Sequence, residues 1–228
     1  MHETWFTADT HLNHKAILKF CNRPFNNLEE MEERIIENWN DVVKNGDIVY
    51  HLGDFAIASE HKTVEEYLKR LKGQKHLISG NHDHQATKQA KGFAHITPYK
   101  EIKLDKRKII LFHYAMRTWH GMYSGSWQLH GHSHGGLFDD PSLKQLDVGV
   151  DSWDFMPINY DQISKAMDNY EMVDHSVRRI KCCQAAVEGE REACAKIAST
   201  HINHVHYMGA ATADSIAEMI RSRGKQCN

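Results

Sequence analysis

The chain has 228 residues, of which 41% are apolar and 25% charged, enough for one substantial soluble domain with an appendage. Its net charge of −2 advertises no nucleic-acid surface, and apolar runs such as KIILF (108–112) are too short to cross a bilayer. The opening MHETWFTADTH lacks the basic-then-apolar pattern of a secretory leader. With it, the odd set Cys21, Cys182, Cys183, Cys194 and Cys227 predicts reduced thiols in a cytoplasmic protein and no disulfide framework.

In chain order, residues 3–9 read as a strand running into polar residues, and 13–20 as a short helix. Residues 26–43 read as an amphipathic helix. Leu28, Met31, Ile35, Trp39, Val42 and Val43 fall near helical spacing, and Gly46 stops it. A strand over 47–54 ends in Gly-Asp. A helix over 63–72 is capped by Gly73, and 74–81 forms the next strand. Residues 101–113 predict a β-hairpin turning near Asp105–Lys106. Strands follow over 126–135 and 144–151, then a helix over 159–171. Strands separated by helices predict a largely parallel sheet, and the closely spaced later strands suggest antiparallel additions. The expectation is an α/β fold of two mixed sheets packed face to face, with helices outside.

The texture changes near residue 175. Residues 176–200 and 212–224 read as two helices of a C-terminal extension, giving domains over 1–174 and 175–228. Val177, Ile180, Val187, Cys194 and Ile197 form an apolar stripe suited to packing on the first domain or on a second copy of the chain. The tail's Cys and His residues fit no familiar zinc-finger spacing, so helix-packing thiols are expected there.

Histidine is the compositional outlier, with 18 residues, and imidazole is the commonest metal ligand. Metal-capable groups gather at five predicted strand ends: Asp9-Thr10-His11, Gly53-Asp54, Gly80-Asn81-His82-Asp83, His113, and Gly131-His132-Ser133-His134. Ligand sites in α/β sheets lie at the carboxyl ends of strands. If alternate residues leaving a strand point one way, Asp9 can share a centre with His11, and His132 with His134. Glycines 53, 80 and 131 would let the backbone turn tightly beside it. Carboxylates, imidazoles and one amide, with no thiolate, suit Mn²⁺, Fe or Zn²⁺. About seven ligands exceed the needs of one tetrahedral ion, so two ions are expected.

These motifs, in this order over roughly residues 3–170, resemble the calcineurin-like metallophosphoesterase superfamily. The opening TADTHLNHKAILKFCNRPF resembles a compact bacterial and phage-encoded branch. The resemblance implies a four-layer α/β/β/α sandwich and two divalent ions, Mn²⁺ first, with Fe, Zn²⁺ and Ni²⁺ as alternatives. By it, Asp9, His11 and His134 hold one ion, Asn81, His113 and His132 hold the other, and Asp54 bridges them. His82 serves as general acid or phosphate stabiliser, oriented by Asp83. The implied reaction is hydrolysis of a phosphomonoester or phosphodiester through direct attack by a metal-bridging hydroxide. Two departures bear on the cleft: helical insertions separate His11 from Asp54, and Tyr114 follows His113 where many relatives have a small residue.

Arg23, Arg117 and Tyr123 are the candidate substrate contacts, with His120, Trp127 and His130 behind them. His51, His76 and His84 read as structural or outer-shell histidines. The expected substrate is a phosphorylated small molecule or nucleotide, with no membrane partner; the C-terminal helices offer one route to a homo-oligomer, packing on the first domain being the other use of their stripe. The alternatives are a nuclease acting on DNA or RNA ends, which the near-neutral charge disfavours, and a silent binding module.

Overall fold

Strands β1 (Thr4–Thr7), β2 (Ile48–His51) and β3 (Gln74–Ile78) are covered on both faces in the computed structural model, which describes residues 2–137, 140 and 143–168. Alternate side chains serve two cores. Trp5, Val49 and Leu77 face one, while Phe6, Tyr50 and Ile78 face the other. Helix α1 (Ile17–Phe20), α2 (Leu28–Val42) and α3 (His61–Arg70) supply the first core through Ile17, Met31, Ile35, Trp39, Val64 and Leu68. Asn27 caps α2, its Oδ1 accepting from the Glu30 amide at 2.8 Å.

The first sheet has the order β4-β3-β2-β1-β9, with β4 spanning Phe93–Thr97 and β9 Ile158–Asn159. Its pairs are parallel except that of β9 with β1. The second sheet has the order β5-β6-β7-β8: Tyr99–Leu104, Arg107–Phe112, Trp127–His130 and Gln145–Asp147. Phe6, Tyr50 and Ile78 meet Ile109, Leu111, Trp127 and Leu129 between the sheets. Helix α5 (Tyr160–Asp168) adds Ile163 and Met167 to that core. The architecture is therefore α/β, with two mixed sheets flanked by helices.

The hairpin β5–β6 turns at Asp105 and Lys106, both with left-handed backbone (φ 43° and 64°). The strands after it differ from expectation. β6, β7 and β8 run parallel, because 113–126 and 131–144 are each long enough to carry the chain back across the sheet. Residues 85–97 carried no clear period, yet hold a short helix, α4 (Gln85–Gln89), and the edge strand β4. The helix expected from residue 13 begins at Ile17, because Asn13 adopts φ 59°.

The chain divides into two compact units, Met1–Met172 and Val173–Asn228. The helices expected over 176–200 and 212–224 lie outside the described residues, as does the tail's Cys/His group. Among the described residues, no helix is long and apolar enough to cross a membrane.

His51, the last residue of β2, is fully buried and carries the fold's clearest pH signature. The Thr10 hydroxyl donates to the Phe55 carbonyl at 2.7 Å, so it accepts from His51 Nε2–H at 2.9 Å. Burial holds the His51 imidazole down at about 3 from its ordinary 6.5. Unfolding therefore takes up a proton below pH 6.5, and His51's contribution to stability is lost as pH falls from 6.5 toward about 3. In urea titrations of metal-free protein, His51→Gln should flatten the pH dependence below 6.5 by up to about 1.4 kcal/mol per pH unit.

Candidate metal centre

Parallel pairing puts the carboxyl ends of β1, β2 and β3 along one edge, and those of β6 and β7 along one edge of the second sheet. The loops leaving these ends bring the expected ligands together. Candidate ligand atoms of Asp9, His11 and His134 lie within 4.8 Å of one another, and so do those of Asp54, His113 and His132. Asp54 Oδ2 lies 3.5 Å from His11 Nε2 and 3.5 Å from His113 Nε2, so one oxygen faces both groups. Asn81 Oδ1 lies 2.9 Å from His113 Nε2.

The aiming device is not the pleat. β1 ends at Thr7 and β7 at His130, before any ligand. Asp9 (φ 57°), His11 (48°), Asp54 (57°), His132 (67°) and His134 (48°) all take left-handed backbone. Each such residue costs about 1 kcal/mol or more, although Asp and His tolerate it better than most. Gly131 serves close approach: an added Cβ would stand 2.5 Å from both Ala8 Cβ and Asp9 Oδ2.

Several of these candidates are held at one end by a hydrogen bond and turn the other end toward the cluster. Asp9 Oδ2 accepts from the His132 amide at 2.8 Å, while Oδ1 is buried without a partner. Asp54 Oδ1 accepts from the His82 amide at 2.8 Å, which leaves Oδ2 between the clusters. His113 Nδ1–H donates to the Leu52 carbonyl at 2.7 Å, which points its Nε2 at Asn81 and Asp54. His134 Nδ1–H donates to Asp151 Oδ2 at 2.6 Å, freeing its Nε2. His11 Nε2 is buried with no partner.

Orphaned lone pairs from carboxylates and imidazoles, converging in a buried space, fit divalent cations. The local electrostatics agree. Burial, then the charges of Asp147 and Asp54, push the Asp9 carboxyl well above its usual range. Burial opposes ionisation of Asp54 too, but the His113 hydrogen bond and charge, with the His82 amide, hold it at about 2. Burial drives His11 down to about 2. For His113 burial is outweighed by Asp54, and its pKa is raised. A proton on His113 thus satisfies Asp54 and Asn81 where a cation would otherwise do so.

His82 lies beside the cluster, its ring centroid 5.3 Å from that of His11. Asp83 does not orient it. The Asp83 carboxylate accepts from the backbone amides of Gly80, Asp54 and Phe55 at 2.8–2.9 Å, tying the end of β3 to the loop after β2.

Arg23 is likewise not a substrate contact. Its buried guanidinium donates to both oxygens of Asp151 at 2.8 Å, and to the carbonyls of Asp9 and Thr10 at 2.6 and 3.1 Å. Trp127 is buried, stacked on Tyr160 and under Arg107. His130 is buried against the Gly131 carbonyl, and His120 pairs with Glu101 at 2.9 Å on the surface. Arg117 is exposed and lines a cavity of about 480 Å³ with Gly135, Asp147 and Trp153, next to the His134 side of the cluster. Tyr123 lies in the exposed single turn Met122–Ser124. Tyr114 packs its ring 4.6 Å from that of His132, at the mouth of the second group.

Two residues of the site were not anticipated. Asp151 orients His134 and neutralises Arg23, but it follows β8 with no motif to mark it. His14 joins its Nδ1 to His11 Nδ1 at 3.1 Å; its position three residues after His11 was the available signal.

The profile described as Calcineurin-like phosphoesterase matches residues 2–159. An uncharacterized protein of Methanocaldococcus jannaschii is 34% identical over 179 residues, covering 76% of this chain and 96% of its own. The gene 66 protein of Mycobacterium phage L5 is 25% identical over 206 residues, covering 77% and 96%. A crystal structure of a protein of unknown function from Aquifex aeolicus superposes with a TM-score of 0.59 at 27% identity, covering 73% of this chain and all of that one.

Removing Asp151 leaves His134 unoriented and Arg23 charged and buried without its partner. Asp151→Ala should weaken the binding of one cation about 10–100-fold in metal titration. It should also destabilise the metal-free protein by about 3–5 kcal/mol in urea.

Proposed function

The chain belongs to the calcineurin-like phosphoesterase family, and from that premise we propose that it is a two-metal phosphoesterase that hydrolyses a phosphomonoester or phosphodiester by direct displacement at phosphorus. The observation that carries this reading is the position of Asp54 Oδ2, equally near the imidazoles of two separate ligand groups. Asp9, His11 and His134 would hold one ion, and Asn81, His113 and His132 the other, with Asp54 shared. Mn²⁺ is the first choice for carboxylate, imidazole and amide donors without thiolate, and Fe, Zn²⁺ and Ni²⁺ are the alternatives. When bound, such a pair supplies Lewis acidity toward phosphoryl oxygens and makes water a nucleophile at neutral pH.

The protein's own groups do the rest. The His82 amide holds Asp54 Oδ1, which places the His82 ring at the rim of the cluster. From there it can hydrogen-bond a phosphoryl oxygen or protonate the leaving oxygen. Two nearby side chains that could form a phosphoenzyme are unsuited to it. Burial and the neighbouring Asp151 push the Cys21 thiol up to about 11, and the Thr10 hydroxyl is committed to Phe55 and His51. The substrate is a phosphorylated small molecule or nucleotide, and the free thiol Cys21 suits a cytoplasmic setting.

Metal-loaded protein should turn over p-nitrophenyl phosphate or its bis ester, and Asp54→Ala should lose both metal loading and turnover. His82→Ala should retain both ions while kcat falls about 10²–10⁴-fold. Loss of an ion from His82→Ala would overturn its assigned role. Cleavage of a single-stranded oligonucleotide with neither ester turned over would make the protein a nuclease, and two bound ions with no turnover of any of the three would make it a binding module.

A further inference from the structure

His14 stands beside the candidate ligand His11, and Phe20 beside His14, and the chemistry above does not use either. His14 is half-buried, with its Nδ1 3.1 Å from His11 Nδ1. Two imidazole nitrogens at that distance share one proton. His11 Nε2 is buried, partnerless and faces Asp54; as a cation ligand in the two-metal reading it carries no proton, which puts the His11 proton on Nδ1, donating to His14. His14 Nδ1 is then the acceptor, and its proton must sit on Nε2, the ring nitrogen turned away from His11. The fold thereby fixes one tautomer and leaves His14 with an N–H to offer. Its ring centroid lies 6.0 Å from that of His82.

The His14 ring also meets Phe20 edge-on at 6.3 Å. Phe20 is 78% exposed, the most exposed of the large apolar side chains among the described residues. It ends α1, the short helix anchored into the core by Ile17. A row of rings therefore runs from His82 through His14 to an open phenyl face.

We propose that His14 and Phe20 form a substrate subsite next to the two cations. His14 Nε2–H hydrogen-bonds a phosphoryl oxygen, and Phe20 stacks on a planar aromatic group carried by the phosphoester. The subsite rests on the two-metal reading above and narrows its substrate to phosphoesters with an aromatic ring within one side chain's reach of phosphorus. Stacking on an exposed ring and a hydrogen bond to an anionic oxygen are each strong enough to be read in affinity.

The test uses metal-loaded protein, with methylphosphonate and phenylphosphonate as non-hydrolysable probes and metal content measured in parallel. Wild type should bind phenylphosphonate about tenfold more tightly than methylphosphonate. Phe20→Ala should abolish that preference and leave methylphosphonate binding within about twofold. His14→Asn can keep a carbonyl oxygen where Nδ1 stands, so His11 retains its partner, but it has no atom at Nε2. It should hold both cations and weaken both phosphonates about tenfold. Loss of a cation from His14→Asn would show that His14 only supports His11 and would overturn the proposal. Equal affinity of wild type for the two phosphonates, or unchanged phenylphosphonate affinity in either variant, would overturn it as well. Wild type with fewer than two cations, or with no affinity for either phosphonate, would instead refute the two-metal reading beneath it.

Discussion

Asp9 and Asp54 are both buried, and the charges of Asp147 and Asp151 raise the cost of ionising Asp9 further. Carboxylates cannot be gathered in that way without positive charge among them. Arg23 supplies one cation, but its fork is spent on Asp151. Without added cations the cluster falls back on protons, which is why Asp9 and His113 both hold theirs unusually strongly. Two divalent cations would replace those protons and occupy the lone pairs that Asp9 Oδ1 and His11 Nε2 leave unpartnered. Much of the surrounding structure follows from this demand.

Left-handed backbone at five of the candidate ligand positions is strain that a folding chain would otherwise avoid. It is held in place by bonds between loops that are far apart in sequence. His132 and His82 each donate an amide proton to a carboxylate from another strand end, and the Asp83 carboxylate gathers three amides from two loops. In each of Asp9 and Asp54, one oxygen is thus fixed by backbone while the other is left for a ligand. The same loops need glycine where space runs out, as at Gly131 against Asp9.

That these side chains converge was legible in the sequence, because each follows a strand end with a distinctive polar cluster, and strand ends in parallel sheets gather along one edge. The direction of β7 and β8 was not legible, since closely spaced strands can pair either way and only the crossing loops decide. Helix α4 and strand β4 were missed because a five-residue helix and a half-exposed edge strand carry little periodicity. Arg23 and Asp151 lie 128 residues apart, and nothing local couples them, so a guanidinium expected in the cleft proved to be a buried anchor. The resemblance implies that Asp83 orients His82, yet its carboxylate turns inward to backbone amides. The tautomer of His14 depends on a single 3.1 Å contact and on which nitrogen of His11 is free, neither of which has a sequence signature.

The most direct measurement is electron paramagnetic resonance of metal-free protein titrated with Mn²⁺. A carboxylate oxygen shared between two ligand groups predicts that the six-line signal of isolated Mn²⁺ gives way, at two equivalents, to the spectrum of a spin-coupled pair. Saturation at one equivalent, or two bound ions that stay magnetically isolated, would contradict a shared Asp54 and the two-metal centre with it.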